Sequence, residues 1–221
     1  MDETSSRIAV RARYAFNSKG FGAHQAISNL VIPGGKVLDV GCSSGYLMEY
    51  LRANLDCHCV GIELDPKAAL KAEEKGFVVV HSSVEEKIDE LREMGPFDQV
   101  IFGDVLEHTV SPESILQETQ QLLAPSGSVV VSLPNVVSLV SRLKIFSGRW
   151  NYTDMGIMDR THLRFFSYKT AKKLLADGGF QVDRELFAGP LTFWGGRRLE
   201  PVQHVRPNLL ANQFIFRASL K

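Results

Sequence analysis

Apolar runs of strand length alternate with segments of helical period along this chain. KVLDV (36–40), CVGIEL (59–64), FVVVH (77–81), FDQVIF (97–102) and SVVVSL (128–133) read as strands, each followed by a helical stretch or a helix start signal. After the third run, Val84, Ile88 and Leu91 share one helical face. After the fourth, Ser111 and Pro112 stand as N-cap and first helical residue ahead of the stripe Ile115, Leu116, Thr119, Leu122 and Leu123. A later helix starts at Ser167, buries Ala171, Leu174 and Leu175, and stops at Gly178 and Gly179. Strands over 180–186 and 211–220 close the chain. Strands apolar on both faces, alternating with helices, describe a parallel sheet covered on both sides, a doubly wound α/β domain. Ligands of that class bind at the carboxyl ends of the strands, where strand order reverses, so the residues that end each strand carry the candidate chemistry.

Composition narrows the picture. The 221 residues are 44% hydrophobic and 23% charged, which is ordinary for a globular chain, and no repeat or linker divides it, so 1–221 reads as one domain. Lys plus Arg and Asp plus Glu both total 25, so the broad positive field of a nucleic-acid binder is missing. The apolar runs are too short to cross a bilayer, and the chain begins with acidic MDETSS rather than a basic-then-apolar signal. Three cysteines cannot all pair, and Cys57 and Cys59 lie in a strand, which favours a reducing cytoplasm. Cys57-His58-Cys59 lacks the second ligand pair that zinc needs.

The first strand end carries chemistry. VLDVGCSSGY (37–46) runs from a strand into a turn with Gly41, Cys42 and Gly45 before a helix opens, bringing backbone and free N–H groups close to a ligand. This is G-x-x-x-G, not the denser G-x-G-x-x-G that clamps a pyrophosphate. The second strand ends in Glu63, a carboxylate able to accept from both hydroxyls of a ribose while opposing a 2′-phosphate. The ligand implied is a nucleoside without that phosphate.

Through VLDVGCSSG, VGIELD (60–65) and FDQVIFGDVLEH (97–108), the chain resembles the class I S-adenosylmethionine-dependent methyltransferases. GIMDRTHLRFF (156–166), following GRWNY (148–152), is similar to a small-molecule subgroup that also resembles the ubiquinone-biosynthesis O-methyltransferases. The resemblance implies a seven-stranded sheet in the order 3-2-1-4-5-7-6, the last strand antiparallel. It implies S-adenosylmethionine as cofactor, with Asp39 organising the methionine amino group, Gly41 and Gly45 admitting the methionine and ribose, and Glu63 holding the ribose. Adenine would fall against Leu64 and the turn at Ser83 and Val84, where a serine hydroxyl stands in for the family's frequent aspartate, and Asp104 would lie near the methionine end.

Two polar clusters remain. Asp104-x-x-Glu107-His108 reads as a capping box, as a divalent-cation site, or as a source of direct basic help from His108 or Glu107, and no metal is assigned on it. Asp159-Arg160-Thr161-His162, after the fifth strand, fits neither a helical nor a strand period; His162 reads as a general base, with Asp159 orienting it or touching substrate. Residues 142–206 carry 12 Lys or Arg against 6 Asp or Glu, which suits an anionic small-molecule acceptor. Residues 1–34, with Phe16, Phe21 and Gly22, read as an N-terminal helical cover, and 142–166 and 189–209, with Trp194, Gly195 and Gly196, as acceptor-side insertions or a lid. The expected activity is methyl transfer to an oxygen of a small molecule. Its rivals are a catalytically silent S-adenosylmethionine-binding module and a nicotinamide dehydrogenase.

Overall fold

In the computed structural model, residues 23–189 and 205–221 are described in full, with the backbone of 193–194 and 197–198. The expectations for Phe16, Phe21, Gly22, the Trp194 side chain, Gly195 and Gly196 lie outside the described residues.

The chain runs α1 (Ala23–Ser28), β1 (Lys36–Val40), α2 (Tyr46–Leu55), β2 (His58–Ile62), α3 (Pro66–Glu73), β3 (Val78–Val80), α4 (Ile88–Met94), β4 (Phe97–Gly103), α5 (Pro112–Thr119), β5 (Leu123–Pro134), α6 (Leu139–Phe146), α7 (Tyr168–Asp177), β6 (Phe180–Ala188), α8 (Pro207–Leu210) and β7 (Gln213–Leu220). The strands form one sheet in the order β3-β2-β1-β4-β5-β7-β6, with β7 antiparallel to both neighbours. This is the order expected. A small antiparallel ribbon pairs Phe193–Trp194 with Arg197–Arg198.

Period-two alternation explains why helices cover both faces. Leu38, Val100, Phe102, Val129, Val131 and Phe216 point to one layer, where Leu91, Ile115, Leu116 and Leu174 of α4, α5 and α7 close over them. Val37, Ile101, Val130 and Ile215 point to the other, under Ile27, Leu47 and Leu51 of α1 and α2. Among the described residues no helix is long and apolar enough to cross a membrane.

Local signals behave as their chemistry dictates. Asp65 caps α3 by accepting from Lys67 N (3.0 Å), with Pro66 next in line, and Ser167 and Thr170 form a reciprocal capping box at α7. Four expectations need correction. Val84 lies in the turn before α4, not on the helix. Leu122 ends a 3-10 turn and Leu123 opens β5, because α5 stops at Thr119. β5 starts five residues earlier than the run at 128 suggests, with Leu123 paired to Phe97 across a register shift. Asp104 is not a helix cap: it takes φ 58°, and the 3-10 turn Leu106–His108 that follows is capped at Val105.

Candidate active site

At the end of β1, Gly41 (φ 70°) and Gly45 (φ 72°) both adopt left-handed backbone. A Cβ on Gly41 would stand 2.8 Å from Val105 Cγ2 and one on Gly45 2.9 Å from Ala72 Cβ, so the turn needs glycine for conformation and for space. Ser43 between them takes φ 50° and donates its backbone N–H to Glu63 Oε2 (2.8 Å). Glu63, 4% exposed, also accepts from Asp65 N at Oε1 (2.9 Å). Two turns thus hold the carboxylate in place, and each oxygen keeps a second lone pair for a ligand hydroxyl.

Asp39 lies beside it, buried, with Oδ2 lacking any hydrogen-bond partner among the described residues. Burial, reinforced by the Glu63 carboxylate, pushes its carboxyl up to about 8. Gly41, Leu64, Ser83 and Val84 line a cavity of about 60 Å³, walled also by Phe102 and Ile115. Cys42 packs beneath the turn, 2% exposed, with its thiol pushed up by burial, so it serves as packing and not as a nucleophile.

Asp104 ends β4 and is held there by partners from two other strands. Ser132 Oγ donates to its Oδ1 (2.8 Å), Gln213 Nε2 donates to the same oxygen, and Gln213 Nε2 also reaches Ser132 Oγ (2.8 Å). His24 of α1 faces this corner: its ring meets Tyr46 edge-on, Nε2 lies 3.0 Å from Tyr46 Oη, and the Asp104 charge opposes the burial that lowers its pKa.

The third cluster joins the turn after β4 to the loop before α7. Leu163 N and Arg164 N both donate to Glu107 O (2.8 and 3.0 Å), docking the loop on the 3-10 turn. Asp159 Oδ1 accepts from Thr161 N (2.8 Å) and Thr161 Oγ1 (2.6 Å), and Thr161 Oγ1 lies 3.0 Å from His108 Nδ1. The hydrogen bonds of Asp159 therefore lead to His108 through Thr161, while on His162 it acts by charge. The two imidazoles meet edge to face at 4.7 Å. His162 Nδ1 lies 3.2 Å from Ile157 O, which fixes Nδ1 as the N–H and leaves Nε2 as an acceptor, 3.9 Å from Glu107 Oε1. Burial lowers the His162 pKa below its ordinary 6.5, against the opposing charge of Asp159. A separation of 3.9 Å is too long for a direct hydrogen bond, and leaves room for a bridging hydroxyl or cation. Ligand atoms of Glu107, His108 and His162 all lie within 4.8 Å of one another.

Of the residues singled out in the sequence, Gly41, Leu64, Ser83 and Val84 line one cavity, Asp39 and Glu63 lie beside each other at the neighbouring strand ends, and His108, Asp159 and His162 fall in one cluster. Sequence reasoning missed His24, Ser132, Gln213 and the Thr161 link. Thr161 sits in the quoted polar run; Ser132 and Gln213 carry no local signal.

The model of a methyltransferase domain matches residues 17–185. The chain belongs to this methyltransferase domain family. Its cofactor is S-adenosylmethionine. Ubiquinone biosynthesis O-methyltransferase of Cupriavidus pinatubonensis is 37% identical over 108 residues, 47% of this chain and 43% of that protein. The mitochondrial protein of that name from Homo sapiens is 30% identical over 158 residues, 67% of this chain and 42% of its own. The chain spans about half the length of the curated relatives it matches. Solved methyltransferases share the fold. A putative methyltransferase of Haloferax volcanii, in complex with its Trm112 activator, superposes with TM-score 0.64 at 14% identity, covering 100% of this chain and 98% of that one. A possible histamine N-methyltransferase of Thermotoga maritima gives 0.61 at 18%, covering 99% and 95%.

Proposed function

We propose that this methyltransferase acts on a hydroxyl of a small molecule, with His162 taking the proton. The observation that carries the reading is the buried, neutral imidazole whose acceptor nitrogen faces Glu107. S-adenosylmethionine supplies a methyl group on a sulfonium, a good leaving group, so alignment provides most of the rate and the acceptor's proton is what remains to be handled. Asp39 takes the methionine ammonium on the oxygen that lacks a partner, and Glu63 takes the ribose hydroxyls on its free lone pairs. Leu64, Ser83 and Val84 receive the adenine, and Cys42 supports the turn from below. Asp104, fixed by Ser132 and Gln213, holds negative charge at the methionine end. His162 Nε2 removes the hydroxyl proton, while Asp159 raises the basicity of the imidazole and, through Thr161, orients His108.

The names of the curated relatives support oxygen as the target. The excess of basic residues over 142–206 supports an anionic acceptor, and α1 together with the 142–166 region supports the reading of cover and acceptor-side insertions on one domain. Transfer of labelled methyl from S-adenosylmethionine to a panel of catechols, phenols and sugar hydroxyls tests the reaction. His162→Ala should retain S-adenosylhomocysteine binding and lower turnover about 100-fold or more, as loss of a general base does. Unchanged turnover withdraws the assignment of the base.

The convergence of Glu107, His108 and His162 favours a second reading, in which these three side chains hold a divalent cation that would act as a Lewis acid on the acceptor hydroxyl. Chelation separates the two: EDTA leaves a base-only enzyme unaffected, and abolishes a cation-assisted one until Mg²⁺ or Mn²⁺ is restored.

A further inference from the structure

Single exposed apolar side chains are normal on a protein surface, but a concentration of them is not. Of the sixteen large hydrophobic side chains exposed among the described residues, nine fall between positions 140 and 165. Helix α6 is the centre of this patch. Leu139, Leu143 and Phe146 follow at i, i+4 and i+7, so they share one face. Phe146 is 92% exposed and Leu143 59%, and Ser141 is the one residue of the helix that is buried. An amphipathic helix normally turns such a stripe toward its own core. This one turns Leu143 and Phe146 outward, with Leu139 half-buried at its start. Trp150 and Tyr152 extend the patch beyond the helix, 46% and 55% exposed.

Charge selects the occupant. Arg142, Lys144 and Arg149 flank the apolar stripe, and no Asp or Glu occurs from Val136 to Thr153. Arg142 and Arg206 also line one groove of about 280 Å³ with Asn208 and Leu209, a place for an anionic group beside the helix. Apolar tips that project from a short helix, ringed by uncompensated cations and followed by Trp and Tyr, match the headgroup boundary of an anionic bilayer, where aromatic rings sit at the interface and basic side chains meet lipid phosphates. The patch runs on to the reaction cluster: Trp150 lies 6.3 Å from Phe165, and Phe165 lies 6.2 Å from His162.

We propose that helix α6 and the loop through Tyr152 dock this chain on an anionic lipid bilayer. The docking is independent of the reaction assigned above, since it is read by binding alone.

Co-sedimentation with vesicles tests it. The full chain should pellet with vesicles of phosphatidylcholine and phosphatidylglycerol, much less with phosphatidylcholine alone, and less as salt rises. Phe146→Asp combined with Leu143→Asp should reduce binding at least tenfold. Replacing Arg142, Lys144 or Arg149 by Gln should weaken it about fivefold each, the effect of one basic residue near a charged membrane. These side chains stand in solvent, so melting temperature and S-adenosylhomocysteine affinity should match the parent protein. A second reading needs no change to the patch: in a Trp194→Phe protein, Trp150 is the one tryptophan left, and its emission should shift to the blue on adding anionic vesicles. Absence of vesicle binding with an unshifted Trp150 spectrum overturns the proposal. So does a dimer in solution that Phe146→Asp dissolves without any vesicle binding, which would assign the face to a second copy of the chain.

Discussion

Asp39 offers a sharp test of how the cofactor is gripped. Its carboxyl is buried beside Glu63, one oxygen lacks a partner among the described residues, and burial pushes its pKa up to about 8. At pH 7 about nine in ten cofactor-free molecules therefore hold a proton there. Arrival of the methionine ammonium favours the ionised form, so binding should release most of a proton at pH 7, and progressively less toward pH 8, where the ligand amine must itself take one up. Acid opposes a reaction that releases protons. Affinity should rise toward pH 8, by up to about tenfold per unit, and level off as the α-amino group itself titrates near ~7.7–8.0. Asp39→Asn keeps the shape and removes the titration. It should bind S-adenosylhomocysteine without proton release and with no rise in affinity toward pH 8. A charge-assisted hydrogen bond contributes about 1.5–3 kcal/mol, while the wild-type protein at pH 7 gives back about 1.4 kcal/mol in deprotonation, so the deficit of the variant should be small at pH 7 and widen toward pH 8. Calorimetry in two buffers of different ionisation enthalpy reads the proton count directly. No proton uptake by buffer in the wild-type protein, or the same pH profile in both proteins, would refute the reasoning. Stability of the cofactor-free protein carries the same signature: a folded pKa raised from 3.8 stabilises fully below that value, and the contribution is lost as pH rises toward about 8.

Other consequences follow from the same geometry. Glu63→Gln places an amide nitrogen against the N–H of Ser43 or Asp65 and removes the anionic acceptor for ribose, so affinity for S-adenosylhomocysteine should fall about 100-fold, roughly 2.7 kcal/mol; a loss under threefold by calorimetry speaks against the ribose contact. The lowered pKa of His162 keeps its base form down through the ordinary 6.5, so turnover should stay level from pH 8 to 6.5 and decline only in more acid solution; a midpoint above 6.5 assigns the proton to another group. Gly45→Ala adds a Cβ at φ 72°, 2.9 Å from Ala72 Cβ, and should cost about 1–3 kcal/mol in chemical denaturation, with an unchanged midpoint as the contrary result.

What could be read in the sequence follows the range of the interactions. The glycine turn and Glu63 lie at the ends of adjacent parallel strands, so strand pattern and turn chemistry suffice to bring them together. The strand order as a whole rests on resemblance, because nothing local says, for instance, that β7 inserts between β5 and β6. The partners of Asp104 show the same limit: Ser132 and Gln213 reach it from 28 and 109 residues away, the second on the antiparallel strand. Asp104 was open to a cap reading because Asp-x-x-Glu satisfies that pattern. The left-handed backbone at Asp104, which turns the chain out of β4, prevents it. Asp159 was expected to serve His162 and bonds to Thr161, a difference decided by how a tight turn folds back on its own N–H groups.

A crystal structure with S-adenosylhomocysteine bound tests the central claim most directly. The account predicts both ribose hydroxyls on the Glu63 carboxylate, the ammonium on Asp39, the adenine between Leu64 and the Ser83–Val84 turn, and the sulfur directed toward Glu107 and His162. Density for the ligand elsewhere, or a sulfur turned away from that cluster, would contradict it.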